Sequence, residues 1–295
     1  MKLAIASCLE LPSWEKDDAV FHDALDSQGI SYQVLPWEDE TCPWEEFDAC
    51  LIRTTWNYQN DLPRYLKWAE ATSKKTRLLN PFSIVQWNSH KRYLDDLEKW
   101  GTPVLPTSWL ARGETYEISD LIAGWDAERA FIKPAIGATA RETLRFDTRA
   151  PADLDRAQQH LDRLLRQEDL MIQPYYQSVE KTGEISLLFF GGRFSHSVRK
   201  VPVPGDYRVQ DDFGASDEPF HPEPEFIELG ETILSYLPEQ VLYARIDFLT
   251  ADDGTRRVNE LELIEPSLFF RHSKEAPNTF AKVIRDNLEN ARTQH

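Results

Sequence analysis

Short apolar runs alternate along the first part of the chain with stretches in which apolar residues recur every three or four positions. Lys2 to Ser7, Tyr32 to Leu35 and Ala49 to Ile52 read as strands, and Leu78 to Pro81 as a fourth. Between them, Glu15 to Gln28 has helical periodicity and stops at Gly29, and Leu62 to Lys74 has it again. Strand and helix in this alternation predict a small parallel-sheet lobe that ends near Pro81.

The pattern then changes. Ser89 to Trp100 reads as a helix closed by Gly101, followed by an apolar strand around Val104. Ala130 to Pro134 and Glu142 to Phe146 read as a strand and its hairpin partner, and Ala152 to Glu168 as a long amphipathic helix. Leu170 to Pro174 is a strand leading out of this second, α+β lobe. Ile185 to Phe190 and Arg193 to Val201 flank Gly191-Gly192, a composition suited to a two-residue hairpin turn. The segment Pro202 to Pro224, rich in Pro, Gly and Asp, reads as a loop. A helix to Tyr236 follows, then two strands, Leu242 to Leu249 and Arg256 to Ile264, joined by Asp252-Asp253-Gly254. Thr279 to Arg292 closes the chain as a helix. The expected fold class is α/β and α+β in three units: 1–81, 82–172 and 173–295.

Composition narrows the function. Of 295 residues, 41% are hydrophobic and 12% aromatic, enough for several cores. No run approaches the ~20 apolar residues needed to span a bilayer, and Met1 to Leu11 has no leader pattern, so a cytoplasmic address is expected. Cys8, Cys42 and Cys50 lack ligand spacing and are expected as reduced thiols. The formal charge of -17 argues against a nucleic-acid or anionic-membrane partner. Small-molecule partners remain, and the reading admits a homodimer.

The most telling chemistry lies on the last two strands. Arg245 and Asp247 are two apart, as are Glu260 and Glu262, so pairing of the strands brings all four to one face. Three carboxylates and a guanidinium then converge, as a magnesium site for a nucleotide requires. A solvent-facing salt-bridge ladder is the competing account, but Ile246, Phe248, Leu261 and Leu263 must bury the opposite face. Lys133, just before the small-residue loop Gly137-Ala138-Thr139-Ala140-Arg141, is either a phosphate ligand or a snorkelling strand lysine. Lys91, near the start of the Ser89 helix, either points its ammonium at an anion beyond the helix end or is an ordinary surface lysine. Leu170 to Tyr175 offers an extended edge to an adenine ring, with Glu180 and Glu184 nearby, or is a plain strand between lobes. Arg53 followed by Thr54 and Thr55, at the carboxyl end of a parallel strand, suits a substrate carboxylate; Ser267 and Arg271 are further candidates. An arginine held in a structural salt bridge competes for both Arg53 and Arg271. The chain holds no G-x-x-x-x-G-K-[ST], G-x-G-x-x-G or G-x-S-x-G, and its seven histidines have no metal-ligand spacing.

The order of these features resembles the ATP-grasp superfamily over essentially the whole chain. Arg53-Thr54-Thr55-Trp56-Asn57-Tyr58, Trp87-Asn88-Ser89-His90-Lys91-Arg92-Tyr93-Leu94 and Glu260-Leu261-Glu262-Leu263-Ile264-Glu265-Pro266-Ser267 resemble the D-cycloserine synthetase branch, whose members cyclise O-ureido-D-serine with ATP. The resemblance implies an ATP-dependent ligase that forms an acyl phosphate on a small carboxylate and couples it to an amine. It implies that Lys91, Lys133 and Gly137 meet phosphates, that Met171, Gln173 and Tyr175 line the adenine, and that Glu184 holds the ribose. Asp247, Glu260 and Glu262 would hold two Mg2+ ions, with Mn2+ able to substitute. Lys200 would be a third phosphate-binding base and Arg245 the oxyanion stabiliser. Most ATP-grasp enzymes carry Asn where this chain has Glu262, and their proline comes one residue before Pro266, so a more anionic metal shell is expected. A nucleotide-binding scaffold without turnover is the alternative, and the intact basic and acidic set counts against it. A closing role for the acidic segment Val203 to Pro219, excluding water from the acyl phosphate, completes the expectation.

Overall fold

The computed structural model describes residues 1–11, 17–137, 140–201 and 216–293, arranged on three sheets. The first is parallel, in the order β2-β1-β3-β4, from β1 (Lys2–Ser7), β2 (Ser31–Pro36), β3 (Ala49–Thr54) and β4 (Arg77–Leu79). Helix α1 (Asp18–Ser27) turns Phe21, Ala24 and Leu25 inward and ends before Gly29, whose positive φ lets the chain reverse. Helix α2 (Leu62–Lys75) starts at Asp61, whose carboxylate accepts the Arg64 N–H, and buries Tyr65, Ala69 and Thr72. The expected start of α1 at Glu15 lies outside the described residues.

Helices α3 (Phe82–Asn88) and α4 (Tyr93–Lys99) follow. The single helix expected from Ser89 is therefore corrected: residues 89–92 form a turn, and helix resumes only at Tyr93. Long-range bonds override local propensity there. The Lys91 N–H donates to the Ala135 carbonyl (2.8 Å), and the Asn88 amide clamps Leu261 O and Leu263 N at 2.8 Å each. The strand expected at Val104 is also corrected. Its neighbours make a single bridge to Val258, and Pro103 and Pro106 on either side cannot donate to a ladder.

The second sheet is antiparallel, order β5-β8-β6-β7, from β5 (Ser108–Leu110), β6 (Arg129–Pro134), β7 (Leu144–Asp147) and β8 (Leu170–Pro174). Helix α5 (Ile118–Leu121) and helix α6 (Pro151–Leu164) cover one face, α6 with Pro151 in its first turn and Ala157, Leu161 and Leu164 buried at helical spacing. The short helix α7 (Val179–Thr182) leads to the third sheet.

That sheet has the order β11-β10-β9-β12-β13, antiparallel throughout: β9 (Glu184–Phe190), β10 (Arg193–Val201), β11 (Ser216–Pro219), β12 (Tyr243–Thr250) and β13 (Arg256–Glu262). Gly191 and Gly192, both at positive φ, make the β9–β10 turn as expected. Helix α8 (Pro224–Ser235) packs Phe226 and Ile233 onto the sheet, and helix α9 (Ala276–Thr293) packs Phe280 and Ile284 between the first and third sheets. Strand β11 was expected as loop. It is a charged edge strand ending in Pro219, and such edges carry no hydrophobic alternation to read. The rest of the predicted closing segment, 202–215, lies outside the described residues. The three cysteines are free and buried, and among the described residues no helix is long and apolar enough to cross a membrane.

Candidate active site

A cleft lies between the second and third sheets, floored by the turn at 89–92. Its third-sheet wall depends on register. Arg245 lies opposite Glu262 and Asp247 opposite Glu260, and the ladder then slips by one residue, because Phe248 pairs with Val258. The bulge turns Val258 into the core while Asn259 and Glu260 both line the cleft. Buried polar groups lock this strand from behind. Asn88 holds it as described, the Tyr93 hydroxyl accepts the Leu261 N–H (3.0 Å), and Asn80 bonds both Tyr243 O (3.0 Å) and Leu263 O (2.9 Å).

Asp247, Glu260 and Glu262 can each offer an oxygen such that the three lie within 4.8 Å of one another. Three hard oxygen donors at this separation fit a magnesium-type ion. The same carboxylates are laced to bases. Arg245 donates to Asp247 from Nε (3.0 Å) and Nη2 (3.0 Å), and to Glu262. Lys200 meets Asp247 at 3.2 Å and pairs with Glu184; Lys91 pairs with Glu260. Ser186 donates to Asp247 at 2.5 Å, and Asn259 to Glu184 at 2.7 Å.

The balance of burial and charge differs from group to group. Burial would raise Asp247, but Arg245 and Lys200 overcome it and hold the carboxyl below its ordinary range. Burial pushes Glu262 up, and Glu260 and Asp247 add to that against Arg245. Burial works against the charge on Lys91 and Lys200 too, but Glu260 in one case and Asp247 with Glu184 in the other keep both ammoniums above the usual value. Lys133 is the exception. Burial, reinforced by Lys91, brings it down to about 8. Among the described residues its ammonium meets the Gln173 side-chain oxygen (3.1 Å) and the face of Phe131 (4.9 Å to the ring centre).

Met171, Gln173 and Tyr175 line the opposite wall on and just after β8, and Gly137 lies at its rim; residues 138 and 139 of that loop are outside the described set. Ser267 also lines the cleft. Glu184, expected on a ribose, is buried against Lys200 and Asn259.

Four expected substrate residues are not among those lining this cleft. Arg53 is 1% exposed, bound to Asp18 (2.8 Å) and the Pro266 carbonyl (3.0 Å). Thr54 bonds Ser7 (2.8 Å) and Thr55 bonds Tyr65 (3.1 Å), both buried. Arg271 is tied to Asp17 (2.8 Å) and Asp217. Arg53 and Arg271 are taken up in joining the first lobe to the third sheet and its flanking segments, and the two threonines in bonds within the first lobe. Residues that sequence reasoning passed over line the cleft instead: Trp56, Tyr58, Asn259 and Glu265. For Trp56 and Tyr58 the signal was present, in the same segment as Arg53. Asn259 had none, because only the bulge turns it inward.

The family model for the N-terminal domain of D-cycloserine synthetase DcsG matches residues 3–80. The chain is 32% identical over 281 residues to the cycloserine biosynthesis protein DcsG of Streptomyces lavendulae, covering 90% of this chain and 92% of the relative. The crystal structure of D-cycloserine synthetase DcsG superposes with a TM-score of 0.88 at 28% identity, over 98% of this chain and 100% of that one. A D-alanine–D-alanine ligase from Bacillus anthracis complexed with ATP shares the fold, with a TM-score of 0.67 at 13% identity over 100% and 99% of the two chains. Three sheets, two of them flanking an acidic, lysine-lined cleft, together with these relatives define an ATP-grasp ligase, an enzyme that couples a carboxylate to an amine with ATP. Within that class the chain belongs to the D-cycloserine synthetase family.

Proposed function

We propose that this ligase activates the carboxylate of a small amino acid as an acyl phosphate, releasing ADP, and closes it on a nitrogen of the same molecule, phosphate leaving; with O-ureido-D-serine, the substrate its family resemblance implies, that nitrogen is the oxygen-bound one and its carbamoyl group is released to water. The observation that carries the reading is the convergence of Asp247, Glu260 and Glu262 with Lys91, Lys133 and Lys200 around one cleft.

In this reading Asp247, Glu260 and Glu262 hold two magnesium ions, for which manganese can substitute. Bound there, the metal neutralises charge on the nucleotide phosphates during transfer. Lys91, paired with Glu260 in the free cleft, would serve a phosphate oxygen where Glu260 holds a cation. Lys133, already without a carboxylate partner among the described residues, serves a phosphate from the start. Met171, Gln173 and Tyr175 pack on the adenine. Glu184 receives the ribose, while Lys200 remains between Glu184 and Asp247 as a fixed positive charge. Arg245, held to Asp247 and to the Ser267 carbonyl (3.2 Å), presents its guanidinium to the oxyanion formed when the amine attacks. Positioning and electrostatics do most of the work, since phosphate is already a good leaving group.

The test is ADP release from Mg-ATP, measured with and without O-ureido-D-serine and related D- and L-serine derivatives. The expected outcome is ADP formation that requires the amino acid and yields a cyclised product. Nucleotide binding without amino-acid-dependent turnover would end the proposal.

A further inference from the structure

Every other carboxylate at the heart of the cleft has a cation within reach. Asp247 has Arg245 and Lys200, Glu260 has Lys91, Glu262 has Arg245, and Glu184 has Lys200. Glu265 differs. It lies just beyond β13, is 9% exposed, and lines the cleft beside Trp56, Tyr58 and Ser267. The Trp56 indole N–H donates to its backbone carbonyl (3.0 Å), which fixes the peptide. Among the described residues no basic side chain pairs with that carboxyl. Burial first, then Glu262 and Glu260, push it well above the ordinary carboxylate range. Its field reaches the Tyr58 and Tyr65 phenols and also the Lys91 ammonium, whose ion-pair partner is Glu260. These surroundings favour the neutral carboxyl in the free cleft, and a cation arriving with the ligand favours the carboxylate.

Two cations could arrive. A metal ion is drawn to the three carboxylates whose oxygens converge, and Glu265 is not one of that group. The other is the ammonium of an amino acid. A ligase acting on a molecule with more than one nitrogen must treat them differently: the attacking nitrogen needs a free lone pair, while the spectator amine is best held as a cation. An anionic partner keeps an amine protonated, so Glu265 is suited to the spectator and unsuited to the nucleophile. Trp56 and Tyr58 add ring faces that favour a cation once water is excluded.

We propose that Glu265 is a specificity-determining residue that receives the unreacted ammonium of the amino-acid substrate, an inference that rests on the ligase reading above. It makes a free amino group a requirement for a substrate and gives the cleft a positive-charge subsite separate from the metal.

The experiment compares ADP release by wild type and Glu265→Gln across serine-derived substrates and their desamino counterparts, in which hydrogen replaces the amino group. Wild type should use the desamino compound roughly a hundredfold less efficiently than the amino acid, the loss expected when a buried charge is left unpaired. Glu265→Gln should lose most of this preference through a raised KM for the amino acid, with the KM for ATP unchanged. Equal use of amino and desamino compounds by wild type overturns the inference and leaves the ligase reading standing; that comparison needs no variant and so survives a misfolded one. A response confined to amino acids other than O-ureido-D-serine, with the same dependence on Glu265, supports the subsite and removes the proposed substrate. No response to any amino-bearing compound overturns both, and an unchanged KM for the amino acid in folded Glu265→Gln overturns the subsite alone.

Discussion

The two walls of the cleft solve opposite electrostatic problems. On the third-sheet wall each base is already matched to an acid: Lys91 to Glu260, Lys200 to Glu184 and Asp247, Arg245 to Asp247 and Glu262. On the second-sheet wall Lys133 is half-buried, with an amide oxygen and an aromatic face as its company among the described residues. The first wall is stable without ligand, because removing one member of a buried ion pair costs about 3–5 kcal/mol. The second is unsettled until an anion arrives. The cleft therefore exchanges partners on loading at one wall and gains a partner at the other.

The largest expected effect comes from breaking the matched wall. Glu260→Gln should reduce turnover by roughly a thousandfold or more, since it removes a metal ligand and leaves Lys91 without its partner. The melting temperature should stay within a few degrees of wild type, as Glu260 is partly exposed. A variant with normal turnover would remove Glu260 from the metal shell.

Next is the unmatched wall. Lys133→Met should raise the KM for ATP by roughly 10- to 100-fold, the range for a lost charge-assisted bond, with less effect on the KM for the amino acid. Because Lys133 sits at about 8 in the free enzyme, it is charged below that pH and neutral above it. The kcat/KM for ATP should therefore fall as pH rises through about 8, and in Lys133→Arg that fall should vanish. A profile identical in wild type and Lys133→Arg would mean that Lys133 does not set it. The smallest effect is expected for Asn259→Ala, which removes a neutral donor to Glu184 and should raise the KM for ATP only about threefold.

The first lobe contrasts with the metal strands in what a linear reading could recover. Alternation on β12 and β13 placed Arg245, Asp247, Glu260 and Glu262 on one face, because the side-chain period of a strand is a local property. Arg53-Thr54-Thr55 also sat where a ligand is expected, at the carboxyl end of β3. Its neighbours came from elsewhere: Asp18 on α1 and the carbonyl of Pro266, 213 residues further along, take up the guanidinium. A buried arginine with two distant partners looks the same in sequence as one waiting for substrate.

From sequence alone came the order of strands and helices, the three-part α/β and α+β plan and the acidic pair of strands, since each follows from periodicity and turn chemistry over a few neighbouring residues. Only tertiary structure decided that Ser89 to Arg92 is a turn, that Val104 makes one bridge, that a bulge brings Asn259 into the cleft, and that Glu265 has no ion-pair partner among the described residues. These depend on hydrogen bonds and charges between residues far apart in the chain, and a linear pattern does not encode which distant partner arrives first or which group is left without one.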